Sequence, residues 1–123
     1  MATKLEPRHK PREIKLLRAE KSLEIAFEDG RIFAYPAEYL RVESPSAEIR
    51  GHGGPKVILG GRRHVGIMDV VPVGHYAIKI KFDDLHDSGI YDWDFLYELG
   101  DRQDRIWADY LAALEREGKS REP

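Results

Sequence analysis

The chain has 123 residues, 41% of them hydrophobic and 34% charged, and its 20 Lys and Arg against 22 Asp and Glu leave a formal net charge of -2. That length suits one domain with one core, and the near balance of charge argues against a protein whose main work is gripping nucleic-acid phosphates. The absence of cysteine excludes disulfides, thiolate zinc sites, thiolate ligation of iron–sulfur clusters and thiol nucleophiles.

Residues 1–12 (MATKLEPRHKPR) are polar and basic with Pro7 and Pro11. They read as a flexible basic arm and lack the apolar stretch of a secretory signal. The domain proper is expected over residues 13–117. Ile14, Leu16 and Leu17 open the apolar pattern, and Leu23, Ile25 and Phe27 then alternate with Ser22, Glu24, Ala26 and Glu28. That is the period of a strand with one buried face. Asp29-Gly30 separates this run from Ile32-Phe33-Ala34-Tyr35 and predicts a hairpin with a type I′ turn, because glycine tolerates the positive φ required. Two or three antiparallel strands are expected within residues 13–35.

Pro36 to Arg41 predicts one helical turn with proline at its first position. Ser44-Pro45 offers a second helix start, with Glu48 near capping-box range. Residues 51–63 (GHGGPKVILGGRR) hold five glycines and a proline and read as loop. Strand character returns over residues 65–73, broken by Asp69 and Pro72, and over residues 76–82, where Tyr76, Ile78, Ile80 and Phe82 share a face. Residues 83–89 read as a turn, and Ile90-Tyr91 closes a hairpin. Beyond it Leu96, Leu99, Ile106, Trp107, Tyr110, Leu111 and Leu114 fall at helical steps. Gly100-Asp101 marks a helix stop and a new N-cap, and residues 118–123 read as a frayed tail. The sum is a single α+β domain, a mostly antiparallel β-sheet followed by C-terminal helices. No apolar run approaches the ~18 residues of a membrane span, so no membrane partner is expected and the cytoplasm is the expected location.

Common catalytic patterns are missing. Gly118-Lys119-Ser120 has only the tail of a phosphate loop, since position 113 is alanine. No serine sits in a G-x-S-x-G elbow, there is no H-E-x-x-H, and no histidine has aspartate two residues on, as a two-His-one-carboxylate iron site requires. Three places carry chemistry. Arg50 and His52, with Arg62, Arg63 and His64 at the far end of the glycine loop, could bind an anionic group or a partner; a solvated surface loop is the simpler reading. Asp84, His86 and Asp87 could hold a divalent cation, although aspartate is equally the residue expected in a turn. Tyr91, Trp93, Phe95, Tyr97, Trp107 and Tyr110 could stack on bases, but they straddle a strand–helix junction, where large rings fill core.

Two segments taken together resemble a known family. Leu40–Gly53 (LRVESPSAEIRGHG) and Val73–Leu96 (VGHYAIKIKFDDLHDSGIYDWDFL) are similar to the domain at the N-terminus of gamma-butyrobetaine hydroxylase, which bacteria also carry as small stand-alone proteins, the DUF971 group. The resemblance runs from about residue 13 to about residue 100, and it is the combination that is specific. In the hydroxylase this domain is an accessory beside the catalytic iron/2-oxoglutarate jelly roll and holds a structural zinc through three cysteines and one histidine. The resemblance places the cysteine segment at Ser44–Ile49, which has no cysteine here, and the histidine at His86. It implies that a zinc site of that shape cannot form. Leu85 stands where the family usually has glycine before the histidine. The same domain is fused to P-loop ATPases of the iron–sulfur carrier class, which implies a role in partner binding or assembly.

The expectation is therefore a non-catalytic accessory or protein-interaction domain, not an enzyme, with no cofactor. Its partner would be a protein, an iron–sulfur carrier ATPase being one class, and not nucleic acid. Arg50, His52, Arg63 and His64 are the expected partner-binding residues. The alternative is a metal-binding protein using zinc or iron, with His86, Asp84 and Asp87 as ligands.

Overall fold

The computed structural model describes residues 7–46 and 56–123. Strands β1 (Pro11–Leu17), β2 (Ser22–Phe27) and β3 (Ile32–Pro36) form an antiparallel sheet in that order. The alternation read in the sequence sets its inner face: Leu23, Ile25 and Phe27 are buried and face Tyr35 and Phe33 across the β2–β3 ladder. The hairpin at Asp29-Gly30 forms, but through a longer turn than the two-residue type I′. Gly30 N–H donates to Phe27 O (3.0 Å), Phe27 N–H donates to Arg31 O (2.8 Å), and Gly30 takes a φ of 94°. This is the type I turn followed by a left-handed residue that closes three-residue hairpins.

Helix α1 (Ala37–Val42) follows at once and is buried along its length, with Pro36 at the N-cap, one residue earlier than expected. No helix begins within Glu43–Ser46. The rest of that expected helix start, together with the glycine-rich stretch as far as residue 55, lies outside the described residues.

Strands β4 (Ile67–Val73), β5 (Ala77–Phe82) and β6 (Ile90–Asp92) make a second antiparallel sheet in that order. Asp69 and Pro72 do not break β4. An irregularity in register between Ile67 and Asp69 absorbs the first, and proline is tolerated because β4 is an edge strand. Ile78, Ile80 and Phe82 line the inner face, whereas Tyr76 precedes β5 and is half exposed.

Helices α2 (Trp93–Asp101) and α3 (Gln103–Arg116) complete the chain. Asp92 caps α2 by accepting Phe95 N–H at 2.8 Å. The break between them falls at Arg102, not at Gly100. Gly100 stays inside the helix because a Cβ there would collide with the Phe33 ring, so this glycine serves a close helix–sheet approach and not a stop.

One core joins the two sheets, α1 and α2, and a smaller cluster of Val42, Tyr110 and Leu114 seats α3. Four tyrosine hydroxyls stitch the layers by donating to main-chain carbonyls: Tyr35 to Leu96 O (2.7 Å), and Tyr39 to Leu99 O, Tyr91 to Leu40 O and Tyr110 to Leu59 O (2.6 Å each). The aromatics thus belong to the core, with Phe95, Tyr97 and Trp107 packed half-buried against it.

Both ends differ from the sequence reading. The tail over 118–123 is held, not frayed. Gly61 N–H donates to Ser120 O (2.8 Å), Arg63 N–H to Arg121 O (3.0 Å), and the Arg121 guanidinium grips the buried Glu38 carboxylate through two bonds of 2.9 and 2.7 Å. Of the arm over 1–12, residues 8–10 are docked. The main-chain N–H groups of Arg8 and His9 donate to Asp94, the His9 ring lies flat on Tyr97 with centroids 3.6 Å apart, and Lys10 O accepts from Glu28 N–H. Residues 1–6 lie outside the described residues. Neither clasp has a hydrophobic pattern, so periodicity could not reveal it.

Candidate functional site

The turn after β5 repeats the geometry of the Gly30 turn with one change. Leu85 N–H donates to Phe82 O (3.0 Å) and Phe82 N–H donates to His86 O (3.0 Å), as Gly30 and Phe27 do with Phe27 and Arg31. Asp84 Oδ1 accepts His86 N–H at 3.1 Å, as Asp29 Oδ1 accepts Arg31 N–H at 3.0 Å. The residue in the left-handed position is glycine in the first turn and Leu85, at a φ of 73°, in the second. A bulky side chain there is a conformational outlier, and this one is 83% exposed.

Charge pairs fix the turn. Arg41, 2% exposed on α1, reaches Asp84 Oδ2 at 2.7 Å through Nε, and Arg62 Nε reaches the same oxygen at 2.8 Å. Burial raises the Asp84 pKa, but the hydrogen bonds from Arg41 and the His86 amide, with the charges of Arg41 and Arg62, outweigh it and hold the carboxyl below the usual range. The Arg41 guanidinium also lies 6.0 Å from the Phe82 ring centroid. Arg41 was not singled out from the sequence, and Arg62 was read only as part of the anion- or partner-binding loop, not as a partner of Asp84. Arg41 falls between Leu40 and Val42 in a short helix, and nothing in that pattern marks an arginine as buried.

His86 turns away from Asp84. Its Nε2 is hydrogen-bonded to Ser44 Oγ at 3.0 Å and to Ser46 Oγ at 3.3 Å, and Ser46 N–H approaches Ser44 Oγ at 3.4 Å. Asp84, His86 and Asp87 therefore do not converge as ligands, and no group of three or more His, Asp or Glu side chains able to hold a metal occurs among the described residues. The serine–histidine contact has the reach of a nucleophile–base pair. Ser44, however, is wholly buried at 0% exposure, so no substrate carbon can approach its oxygen.

In the hydroxylase domain that the sequence resembles, the matching histidine holds a structural zinc. Structural zinc is held by thiolate, imidazole or carboxylate, and here one imidazole nitrogen faces two neutral hydroxyls. These residues do not fit zinc. The segment pairing inferred from the resemblance nevertheless holds in space, since Ser44 and Ser46 meet His86.

Of the expected partner-binding residues, Arg50 and His52 lie outside the described residues. Arg63 and His64 are both exposed and both face the tail. Arg63 Nη1 pairs with Glu122 at 2.6 Å, and His64 Nε2 stands 3.7 Å from the same carboxylate. An open groove of about 660 Å³ elsewhere on the surface is lined by Pro7, Pro11, Tyr76 and Trp93 with Lys10 and Glu28. No helix among the described residues is long and apolar enough to cross a membrane.

A family model described as "Gamma-butyrobetaine hydroxylase-like, N-terminal" matches residues 14–97. Two NMR solution structures are similar along almost the whole chain. One is 50% identical, covering 94% of this chain and 91% of its own with a TM-score of 0.83. The other is 44% identical, covering 96% and 91% with a TM-score of 0.81. A crystal structure from Acidithiobacillus ferrooxidans, of a protein with unknown function described as belonging to the DUF971 family, is 37% identical over 74% of this chain and 92% of its own, with a TM-score of 0.64. No curated protein matches.

Proposed function

The chain belongs to the gamma-butyrobetaine hydroxylase-like N-terminal family, and from that premise we propose that it is a non-catalytic accessory domain that binds a partner protein through the Asp83–Gly89 turn and the adjoining Arg63–His64 segment. The observation that carries this reading is Leu85. It is an aliphatic side chain held 83% exposed, on a left-handed backbone, by a clamp of two arginines on Asp84. The clamp holds the turn that presents Leu85, and the fold gains little burial from the side chain. Backbone strain retained without an internal return is a recurrent mark of recognition surfaces. Exposed Arg63 and His64 supply a polar border of the kind that surrounds an apolar anchor in protein interfaces. The partner class that the family resemblance favours is a P-loop ATPase of the iron–sulfur carrier kind, with the cytoplasm as the setting.

The reading is tested by affinity capture with the tagged full chain from cells that naturally express it, in parallel with Leu85→Gly. A defined protein retained by the wild type, lost with Leu85→Gly and rebinding directly once purified is the expected result. Identical capture by both forms refutes the turn as the binding surface.

A further inference from the structure

Ser44 and Ser46 follow α1 at the end of the first sheet's segment, and His86 follows β5 in the second sheet. Their hydrogen bonds, spanning 42 and 40 residues, therefore join the two halves of the fold. Two further contacts lie on the same seam: the Arg41–Asp84 pair at 2.7 Å and the Tyr91 hydroxyl on Leu40 O at 2.6 Å. Packing there is tight, since a Cβ on Gly89 would run into Ser44 Oγ. Ser44 is 0% exposed and Ser46 7%, so both hydroxyls need partners inside the protein.

We infer that Ser44, Ser46 and His86 form a metal-independent clasp, in which hydrogen bonds to one imidazole nitrogen make the join that a bound cation would otherwise make, with the two hydroxyls standing at ligand positions around it. The chemistry favours hydrogen bonding over coordination. A cation would need a free Nε2 lone pair at a nitrogen that the hydroxyls already engage, and neutral serines bring no negative charge to offset a buried dication. The same disposition becomes a cation site if the oxygens are replaced by ionisable sulfur, because two thiolates and an imidazole form the three-ligand set of open zinc centres.

Three measurements on the full chain test this. The protein is stripped with excess chelator and melted with and without one equivalent of Zn²⁺. The two midpoints should agree within about 2 °C, and a larger rise with Zn²⁺ overturns the inference. The double variant S44C/S46C is titrated with Co²⁺. One equivalent should produce thiolate-to-cobalt charge-transfer absorption that Zn²⁺ displaces, with none in the wild type. A folded double variant that takes up no Co²⁺ refutes the ligand-like disposition. The third readout needs neither thiols nor metal: His86→Ala, measured in chelator, should lower the midpoint by about 4 °C or more, because two buried hydroxyls lose their partner. An unchanged midpoint refutes the clasp.

Discussion

Leu85→Gly should stabilise the protein, although it removes a large side chain. The left-handed conformation costs a non-glycine residue roughly 1–2 kcal/mol, and the Leu85 φ of 73° sits within it. Glycine removes that strain but brings about 0.5–1 kcal/mol of extra chain entropy to be lost on folding. The hydrophobic contribution forgone is small, because the side chain is 83% exposed. The balance is a gain of up to about 1 kcal/mol, or an upward shift of a few degrees at this chain length. Urea unfolding followed by circular dichroism measures it. Leu85→Ala is the control, for alanine keeps the Cβ and hence the strain, and should show no such gain. A Leu85→Gly variant less stable than both wild type and Leu85→Ala would refute the reasoning. It would mean that the leucine is held by contacts worth more than its strain.

Asp84→Asn removes the carboxylate charge that faces both the buried Arg41 and Arg62 and should cost about 1–3 kcal/mol in chemical denaturation. Because the folded Asp84 pKa is depressed, its contribution is present above the unfolded value near ~4 and is lost as pH falls through the folded value below it. The stability of the wild type should therefore fall more steeply than that of Asp84→Asn over that acid range, and parallel acid titrations of the two would contradict the assignment. Gly100→Ala, which in an exposed helix would help by about 1 kcal/mol, should here cost about 1–3 kcal/mol by overpacking against Phe33; a stabilised variant in urea melts would show that the contact yields. Arg121→Ala leaves the Glu38 carboxylate buried without its bidentate partner and should cost about 2 kcal/mol, against little for Arg116→Ala on the exposed end of α3. Equal thermal midpoints for the two variants would mean that the tail contributes nothing.

The elements that bury one face were legible because burial leaves a period. The alternation through Leu23, Ile25 and Phe27 and the helical spacing from Leu96 to Leu114 name their own inner faces. Polar contacts between distant segments leave no period, which is why the docking of His9 on Asp94, the grip of Arg121 on Glu38 and the burial of Arg41 could not be read from spacing. The turn at Leu85 lies between these cases. Phe27-Glu28-Asp29-Gly30-Arg31 and Phe82-Asp83-Asp84-Leu85-His86 share Phe and Asp at matching steps. That repeat was open to inspection, but only the hydrogen bonds show that the leucine occupies a glycine's place. Asp84 and His86 stood out in the sequence as a pair, and their closeness along the chain suggested shared ligation. The left-handed residue between them instead turns one toward arginine and the other toward serine.

The tyrosine hydroxyls buried against main-chain carbonyls make the molecule its own indicator dye. Burial lifts the phenol pKa values of Tyr35 and Tyr39 far above normal and pushes that of Tyr110 up to about 12. The unfolded chain would ionise the same groups near ~10. The stability they confer is thus complete below that pH and drains away as the solution becomes more alkaline. The ultraviolet phenolate absorbance of these buried tyrosines and collapse of the fold should then arrive together, since their protons leave only once the hydroxyls have parted from the carbonyls of α2 and Leu59.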